Sequence, residues 1–206
     1  MFITLLRFDE FNPKAGQYYA NREKIHGMLC KITGGKKRSE KNILYRVHVE
    51  NDGIYLTVQY EEPLSCINEN GVNYLCVDGA PERAFIYVAT KETQIPQNGE
   101  CIINISTTPE KQIRVNGKRV FRRIDNPYEQ VRWITAKLLE NGIRTKHVIS
   151  IDPISVNFAH SYSKYHSTGS DFRLVVSIAD AEKFKSAVEN GIGPKKCYGM
   201  GMLYVG

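Results

Sequence analysis

Hydrophobic positions alternate weakly over residues 1–8, MFITLLRF, which predicts a strand. Between Tyr18 and Ile32 the period lengthens. Ile25, Met28, Leu29 and Ile32 recur at helical spacing, and Gly34-Gly35 stops the helix. A basic loop (Lys36, Lys37, Arg38, Lys41) follows. Ile43–Glu50 and Ile54–Tyr60 are then two β-rich runs joined by Asn51-Asp52-Gly53, a hairpin signal. Residues 61–82 are turn-rich and carry no assignable period, and RAFIYVAT (Arg83–Thr90) predicts another strand. The polar stretch Lys91–Gly99 reads as a linker.

The second half repeats the rhythm. Glu100–Ser106 predicts a strand, and Gln112–Arg122 a strand or hairpin around Asn116-Gly117. A helix follows with full punctuation: Asn126 as N-cap, Pro127 at the first helical position, Glu129 at the capping-box position and Gly142 at the end. Strands are expected near 147–158 and 172–178. A last helix runs from Asp180 to about Asn190 with Ala181, Phe184, Ala187 and Val188 inward, and Met202–Val205 forms a short final strand. Each half thus reads strand–helix–strand–strand–(helix)–strand. That order predicts an α+β fold of two tandem ferredoxin-like (RRM-like) domains with antiparallel sheets, over residues 1–92 and 98–206. The architecture is duplicated without a visible sequence repeat, and this fold hosts many functions.

Composition narrows the class. With 42% hydrophobic and 24% charged residues the chain can bury a core. No apolar run approaches the ~20 residues that span a bilayer. The N-terminal MFITLLRFDEF is interrupted by Arg7 and followed at once by acids, unlike a signal peptide, so a cytosolic protein without membrane attachment is expected. The five cysteines (Cys30, Cys66, Cys76, Cys101, Cys197) form no CxxC and read as reduced thiols. The histidines (His26, His48, His147, His160, His166) are scattered, and neither HExxH nor a paired-carboxylate spacing occurs, so neither a metal nor a cofactor is expected.

Charge changes the picture more. Residues 1–100 hold 12 basic and 13 acidic side chains, whereas residues 101–206 hold 16 and 9, so all of the chain's +6 excess lies in the second half. A basic half suggests a polyanionic partner, nucleic acid before anionic membrane. Lys111, Arg114, Lys118, Arg119, Arg122 and Arg123 follow one another with no acid between them. The interleaved Ile113, Val115, Val120 and Phe121 suggest a hairpin whose rim and tip carry the charge, suited to tracking phosphates. The closing GIGPKKCYGMGMLYVG places Gly191, Gly193, Gly199 and Gly201 around Lys195 and Lys196. Such a segment reads either as a close backbone approach to phosphate with charge-assisted contacts or as a helix C-cap and turn; it is not a P-loop. His26 lies beside Ile25 on the rim of the first helix's apolar face, with Arg22, Cys30 and Thr33 along the same flank. A histidine so placed either suits general acid–base work on a phosphodiester or is a bystander on the helix.

Four segments together resemble the CasE family, the CRISPR RNA-processing endoribonucleases of type I-E Cascade: KIHGMLCKI; ISTTPEKQ; GKRVFRRIDNPYEQVRWITAKLLENGI; and DFRLVVSIADAEKFKSAVENGIGPKKCYGMGMLYV. The last is the most specific, because glycine placement, Pro194 and a lysine coincide. The resemblance implies two ferredoxin-like domains that bind the CRISPR repeat stem-loop of precursor RNA. It implies metal-free cleavage at the base of the stem by 2′-hydroxyl attack, leaving a 2′,3′-cyclic phosphate and a 5′-hydroxyl, with Cascade subunits as protein partners. By the same resemblance His26 is catalytic, Lys31 contacts RNA near the cut, Lys118 and Arg119 fall on a GKRV-like element, and Lys196 is the glycine-loop lysine. With the basic residues above, the expected RNA-binding set is Arg22, Lys31, Lys111, Lys118, Arg119, Arg122, Arg123, Lys195, Lys196, Gly193 and Gly199.

Two departures bear on the mechanism. Family members carry a tyrosine one turn before the histidine where this chain has Glu23, so Tyr19, the first choice as second catalytic residue, Tyr18 and Glu23 all stand as partners of His26. The family's Arg-x-Asn-Pro turn is Ser106-Thr107-Thr108-Pro109 here. A non-catalytic RNA-binding subunit of a CRISPR effector complex is the alternative reading, since the glycine loop and the basic strip support both and only His26 separates them.

Overall fold

The computed structural model describes residues 1–32, 43–160 and 163–206. The predicted Gly34-Gly35 stop and the basic loop with Lys36, Lys37, Arg38 and Lys41 lie outside the described residues. Among the described residues no helix is long and apolar enough to cross a membrane.

The first half forms β1 (Phe2–Phe8), α1 (Pro13–Ala20), α2 (Arg22–Ile32), β2 (Leu44–Glu50), β3 (Gly53–Tyr60), β4 (Cys66–Glu69), β5 (Val72–Val77) and β6 (Ala80–Glu92). They build a six-stranded sheet in the order β2-β3-β1-β6-β5-β4, antiparallel at each neighbouring pair. The run β2-β3-β1-β6 is the ferredoxin-like order, but the crossover from β3 to β6 is the β4–β5 hairpin instead of a second helix. Its turns are Asn70-Gly71 and Asp78-Gly79, all four residues at positive φ. This is the hairpin geometry that Asn-Gly and Asp-Gly pairs favour, and it resolves the stretch 61–82. The strand ending near Thr90 continues to Glu92, into the predicted linker.

The single helix expected from Tyr18 is two helices. Asn12 accepts a hydrogen bond from the Lys14 amide at 3.0 Å, Pro13 opens α1, and Asn21, extended at φ −142°, ends it. The Asn21 side chain then accepts from the Glu23 amide at 3.1 Å and starts α2. One face of the sheet carries Leu6, Phe8, Tyr45, Leu56, Val58, Tyr60 and Phe85. Tyr18, Ile25, Met28 and Leu29 of the helices join the same buried cluster. Each such side chain contributes about 1.5–3 kcal/mol, so packing, more than propensity, holds these short helices in place.

The second half forms β7 (Glu100–Thr107), β8 (Glu110–Val115), β9 (Lys118–Arg123), α3 (Pro127–Glu140), β10 (Ile143–His160), β11 (Ser163–Ile178), α4 (Ala181–Asn190), a 3-10 turn at Lys196–Tyr198 and β12 (Leu203–Val205). The sheet order β10-β11-β7-β12 is the complete ferredoxin-like arrangement, and β8–β9 is a separate two-stranded ribbon inserted between β7 and α3. Pro153 is accommodated because β10 lies at the sheet edge. Asn126 caps α3 as expected, accepting from the Tyr128 and Glu129 amides at 2.9 and 3.3 Å. Glu129, however, pairs with Lys111 at 3.3 Å. Ile103, Ile105, Phe172, Leu174, Val176 and Leu203 of the sheet meet Ile134, Leu138, Phe184 and Val188 of the helices in a second core.

The chain is therefore a tandem ferredoxin-like α+β protein with mainly antiparallel sheets. It has two compact units. One comprises Met1–Gln94 with Val156–His166 and Lys195–Gly199, and the other comprises Ile95–Ser155, Ser167–Pro194 and Met200–Gly206.

Candidate functional site

In the first unit, α2 buries Ile25, Met28 and Leu29 and leaves Arg22, His26 and Cys30 at i, i+4 and i+8 along its flank. His26 is half-buried, with the Cys30 sulfur 3.7 Å from Nε2 and 3.8 Å from Nδ1. Arg22, at the first position of the helix, is only 7% exposed, and its Nη1 has no hydrogen-bond partner. The guanidinium lies 5.4 Å from the centroid of the Tyr19 ring. Burial pulls its pKa below the ordinary guanidinium value, with Tyr45 and Tyr19 opposing the shift. A buried cation with an unanswered N–H is costly, and an anion delivered to it recovers that cost.

The two tyrosines preceding α2 differ sharply. Tyr19 is 43% exposed and meets Phe8 edge-on. Tyr18 is buried, and its hydroxyl donates to Glu82 Oε2 at 3.1 Å, the same oxygen that Lys14 Nζ reaches at 2.6 Å. Burial first, then the Glu82 charge and hydrogen bond, hold the Tyr18 phenol well above its ordinary pKa. Glu23 lies on α2, half-buried. Lys31 is exposed in the last turn, about 140° around the helix from His26.

The Lys195–Gly199 segment belongs to this same unit and packs against α2. Lys195 takes the left-handed conformation (φ 61°) that starts the 3-10 turn, and the Tyr198 amide closes onto the Lys195 carbonyl at 2.9 Å. Gly199 (φ 81°) faces the Tyr45 ring, and a Cβ there would stand 2.8 Å from Cε2. Of the two readings of the glycine segment, the turn is what these contacts describe: Gly191 caps α4, and the space at Gly199 is taken by a side chain of the protein itself. No local pattern marks Tyr45 in the sequence, because an aromatic in a strand reads as core.

The other cations lie in the second unit. The β8–β9 register sets Arg114 opposite Arg119, Lys111 opposite Arg122, Gln112 opposite Phe121 and Ile113 opposite Val120. Alternation then puts Arg114, Arg119 and Phe121 on one face, and Lys111, Lys118 and Arg122 around Ile113, Val115 and Val120 on the other. Like charges directly opposed across a ribbon repel, and a bound anion relieves them. Lys118, Arg119 and Arg122 are exposed, whereas Lys111 pairs with Glu129 and Arg123 is drawn to Asp125 at 3.0 Å and to Thr168. Phe121 is 68% exposed. Gly193 lies in the loop after α4. Ser106, Thr107 and Thr108 are buried, with Ser106 donating to Asp171 at 2.9 Å, so this turn serves the packing of the unit.

His48 is pushed down to about 4 by burial and then by Arg46, and His166 bonds Asn157 at 2.8 Å. Among the described residues no three His, Cys, Asp or Glu side chains form a set able to hold a metal ion.

The model of a family described as CRISPR associated protein matches residues 1–206. No curated protein matches. Among solved structures the chain is similar to CRISPR endoribonuclease Cse3 bound to a 19-nucleotide RNA, at 18% identity and TM-score 0.79 with 100% of both chains covered. It is similar to Thermus thermophilus Cse3 bound to an RNA representing a pre-cleavage complex, at 19% identity and TM-score 0.77, covering 100% of this chain and 98% of that one. It also resembles the CRISPR-associated protein Cas6e from Escherichia coli str. K-12, at 20% identity and TM-score 0.66 with 100% and 98% covered. These likenesses carry the tandem ferredoxin-like fold.

Proposed function

The chain belongs to the CRISPR-associated protein family, and from that premise we propose that it is a metal-independent endoribonuclease that binds the repeat stem-loop of precursor CRISPR RNA and cuts it. The observation that carries this reading is the α2 flank. It sets a half-buried histidine one turn from a buried guanidinium whose Nη1 has no hydrogen-bond partner, with the lysine-bearing turn Lys195–Gly199 packed on the same helix.

The chemistry asks for little more. The 2′-hydroxyl before the scissile bond passes its proton to solvent as it attacks phosphorus. A 2′-oxygen–phosphorus bond forms as the bond to the 5′-oxygen breaks, and the leaving oxygen takes a proton. The products are a 2′,3′-cyclic phosphate and a 5′-hydroxyl. His26 is the proton donor to the leaving oxygen, and Arg22 with Lys196 stabilises the charge that builds on the phosphoryl oxygens. Tyr18 is committed to Glu82, so Tyr19 is taken as the second catalytic group, with Glu23 as the remaining alternative. Lys31 contacts RNA beside the cut, and Lys195 and Gly193 line its path, whereas Gly199 is buried against Tyr45 and has no part in it. The β8–β9 ribbon, with Lys111, Lys118, Arg119, Arg122 and Arg123, tracks phosphates along a stem whose deep major groove hides its base edges. So many phosphate contacts hold the cut product, which suits a subunit that stays with its RNA in a Cascade-type complex in the cytoplasm.

The deciding experiment is cleavage of the repeat hairpin in EDTA, with and without a 2′-deoxy residue just before the scissile bond. The all-ribose RNA is expected to be cut and the deoxy RNA to bind without cutting. A deoxy substrate cut at the normal rate, or activity that requires added magnesium, overturns the reading. No cutting by the wild-type chain beside tight binding would favour the non-catalytic subunit instead.

Binding should fall steeply with salt. For a stem held through phosphates, each lost contact flattens the slope of log K against log salt by roughly 0.7–0.9. Titrating the Lys118→Ala/Arg119→Ala double variant is expected to show that decrease; an unchanged slope would mean the ribbon does not touch RNA.

A further inference from the structure

Tyr45 stands in β2 at 2% exposure, within the first unit's core. Its hydroxyl lies 3.1 Å from the carbonyl oxygen of Arg22 and 2.8 Å from that of Cys197. The single O–H proton is thus shared between the first residue of α2 and the middle of the Lys196–Tyr198 turn. The ring completes the tie, since it fills the place where a side chain at Gly199 would stand. One residue therefore grips, by hydroxyl and by ring, the turn that carries Lys196, and by hydroxyl the helical residue whose buried guanidinium leaves Nη1 without a hydrogen bond. His26 follows one turn along the same helix.

We infer that Tyr45 is a positioning residue: it sets the spacing between the cations of Arg22 and the Lys195–Gly199 turn and the acid at His26. This rests on the proposed cleavage reaction, which it deepens. Phosphoryl transfer is sensitive to sub-ångström placement of the charges around phosphorus, and a 1 Å error costs up to about 100-fold. Affinity for the repeat, spread over many phosphates, is insensitive to such an error. A residue that positions the site without touching RNA should therefore separate rate from binding.

Tyr45→Phe keeps the ring and removes only the hydroxyl. Single-turnover cleavage at saturating protein is expected to slow on the order of 10-fold or more, while the Kd for the uncleavable 2′-deoxy hairpin stays within about twofold. The Tm should fall by only about 2–4 °C, as for one lost hydrogen bond. Gly199→Ala, which crowds the same ring, should show the same split, and the double variant should be little slower than either single one, because both loosen one contact. Hydrogen exchange should quicken at the Tyr198 and Gly199 amides, which bond Lys195 and Lys196 carbonyls. Wild-type cleavage rates in Tyr45→Phe, or rate and affinity falling by the same factor, overturn the inference. Should the wild-type chain cut no repeat RNA, the functional reading fails by itself. The exchange measurement then decides whether Tyr45 ties the turn to α2, and unchanged exchange overturns it.

Discussion

His26→Ala is expected to slow single-turnover cleavage of the repeat hairpin by about 100- to 10,000-fold, the usual contribution of a positioned proton donor, and to leave binding of the same RNA within a few-fold. The reason is geometric. His26 is half-buried on the flank of α2, outside the Ile25–Met28–Leu29 face that packs the core, so truncating it removes a proton-transferring group and little packing. On the proposed reading, affinity comes from the phosphate contacts of the β8–β9 ribbon and the lysine-bearing turn, which the substitution does not touch. Rates measured under excess protein, beside a filter-binding or anisotropy titration with 2′-deoxy RNA, separate the two. Full activity in the variant would remove His26 from the mechanism.

Arg22→Met should separate activity from stability in the opposite sense to an ordinary core substitution. The guanidinium is nine-tenths buried, stacked near Tyr19, with Nη1 unanswered. Burial has already lowered its pKa. Methionine fills a similar volume and carries no charge to desolvate, and replacing buried charge by apolar bulk is often neutral or stabilising. The Tm of the free protein is therefore expected to hold or to rise by a few degrees. Cleavage is expected to fall by about 100- to 1,000-fold, the cost of removing one donor aimed at developing charge. A large drop in Tm together with lost activity would instead make Arg22 a structural residue.

The punctuated elements were legible in the sequence. Asn126-Pro127 and Gly142 bracket α3, Asp180 starts α4, and Asn51-Asp52-Gly53 closes β2 onto β3, because caps and tight turns are satisfied by the residues that form them. Two further local signals lie in the sequence. Asn70-Gly71 and Asp78-Gly79 mark the β4–β5–β6 turns, and Asn12-Pro13 with Asn21 divides the first helical stretch in two. The apolar period could not reveal that break, since Tyr18 and Ile25 bury against the same sheet from either side of it.

For the candidate site, sequence alone put His26 on the rim of its helix and the positive charge in the second half. Helical spacing fixes which residues share a flank, and counting fixes net charge. Which groups then meet was a matter of tertiary structure. Tyr18 was committed to Glu82, 64 residues away, and Tyr19 was left beside Arg22. Lys111 and Arg123 were drawn toward carboxylates, while Lys118, Arg119 and Arg122 stayed exposed. The Lys195–Gly199 turn was carried into the first unit, where Tyr45 holds it from 152 positions away. Short-range patterns specify what each segment is able to form. The partner of a buried hydroxyl or guanidinium is set by whichever distant backbone the fold brings within about 3 Å of it, and no local pattern encodes that.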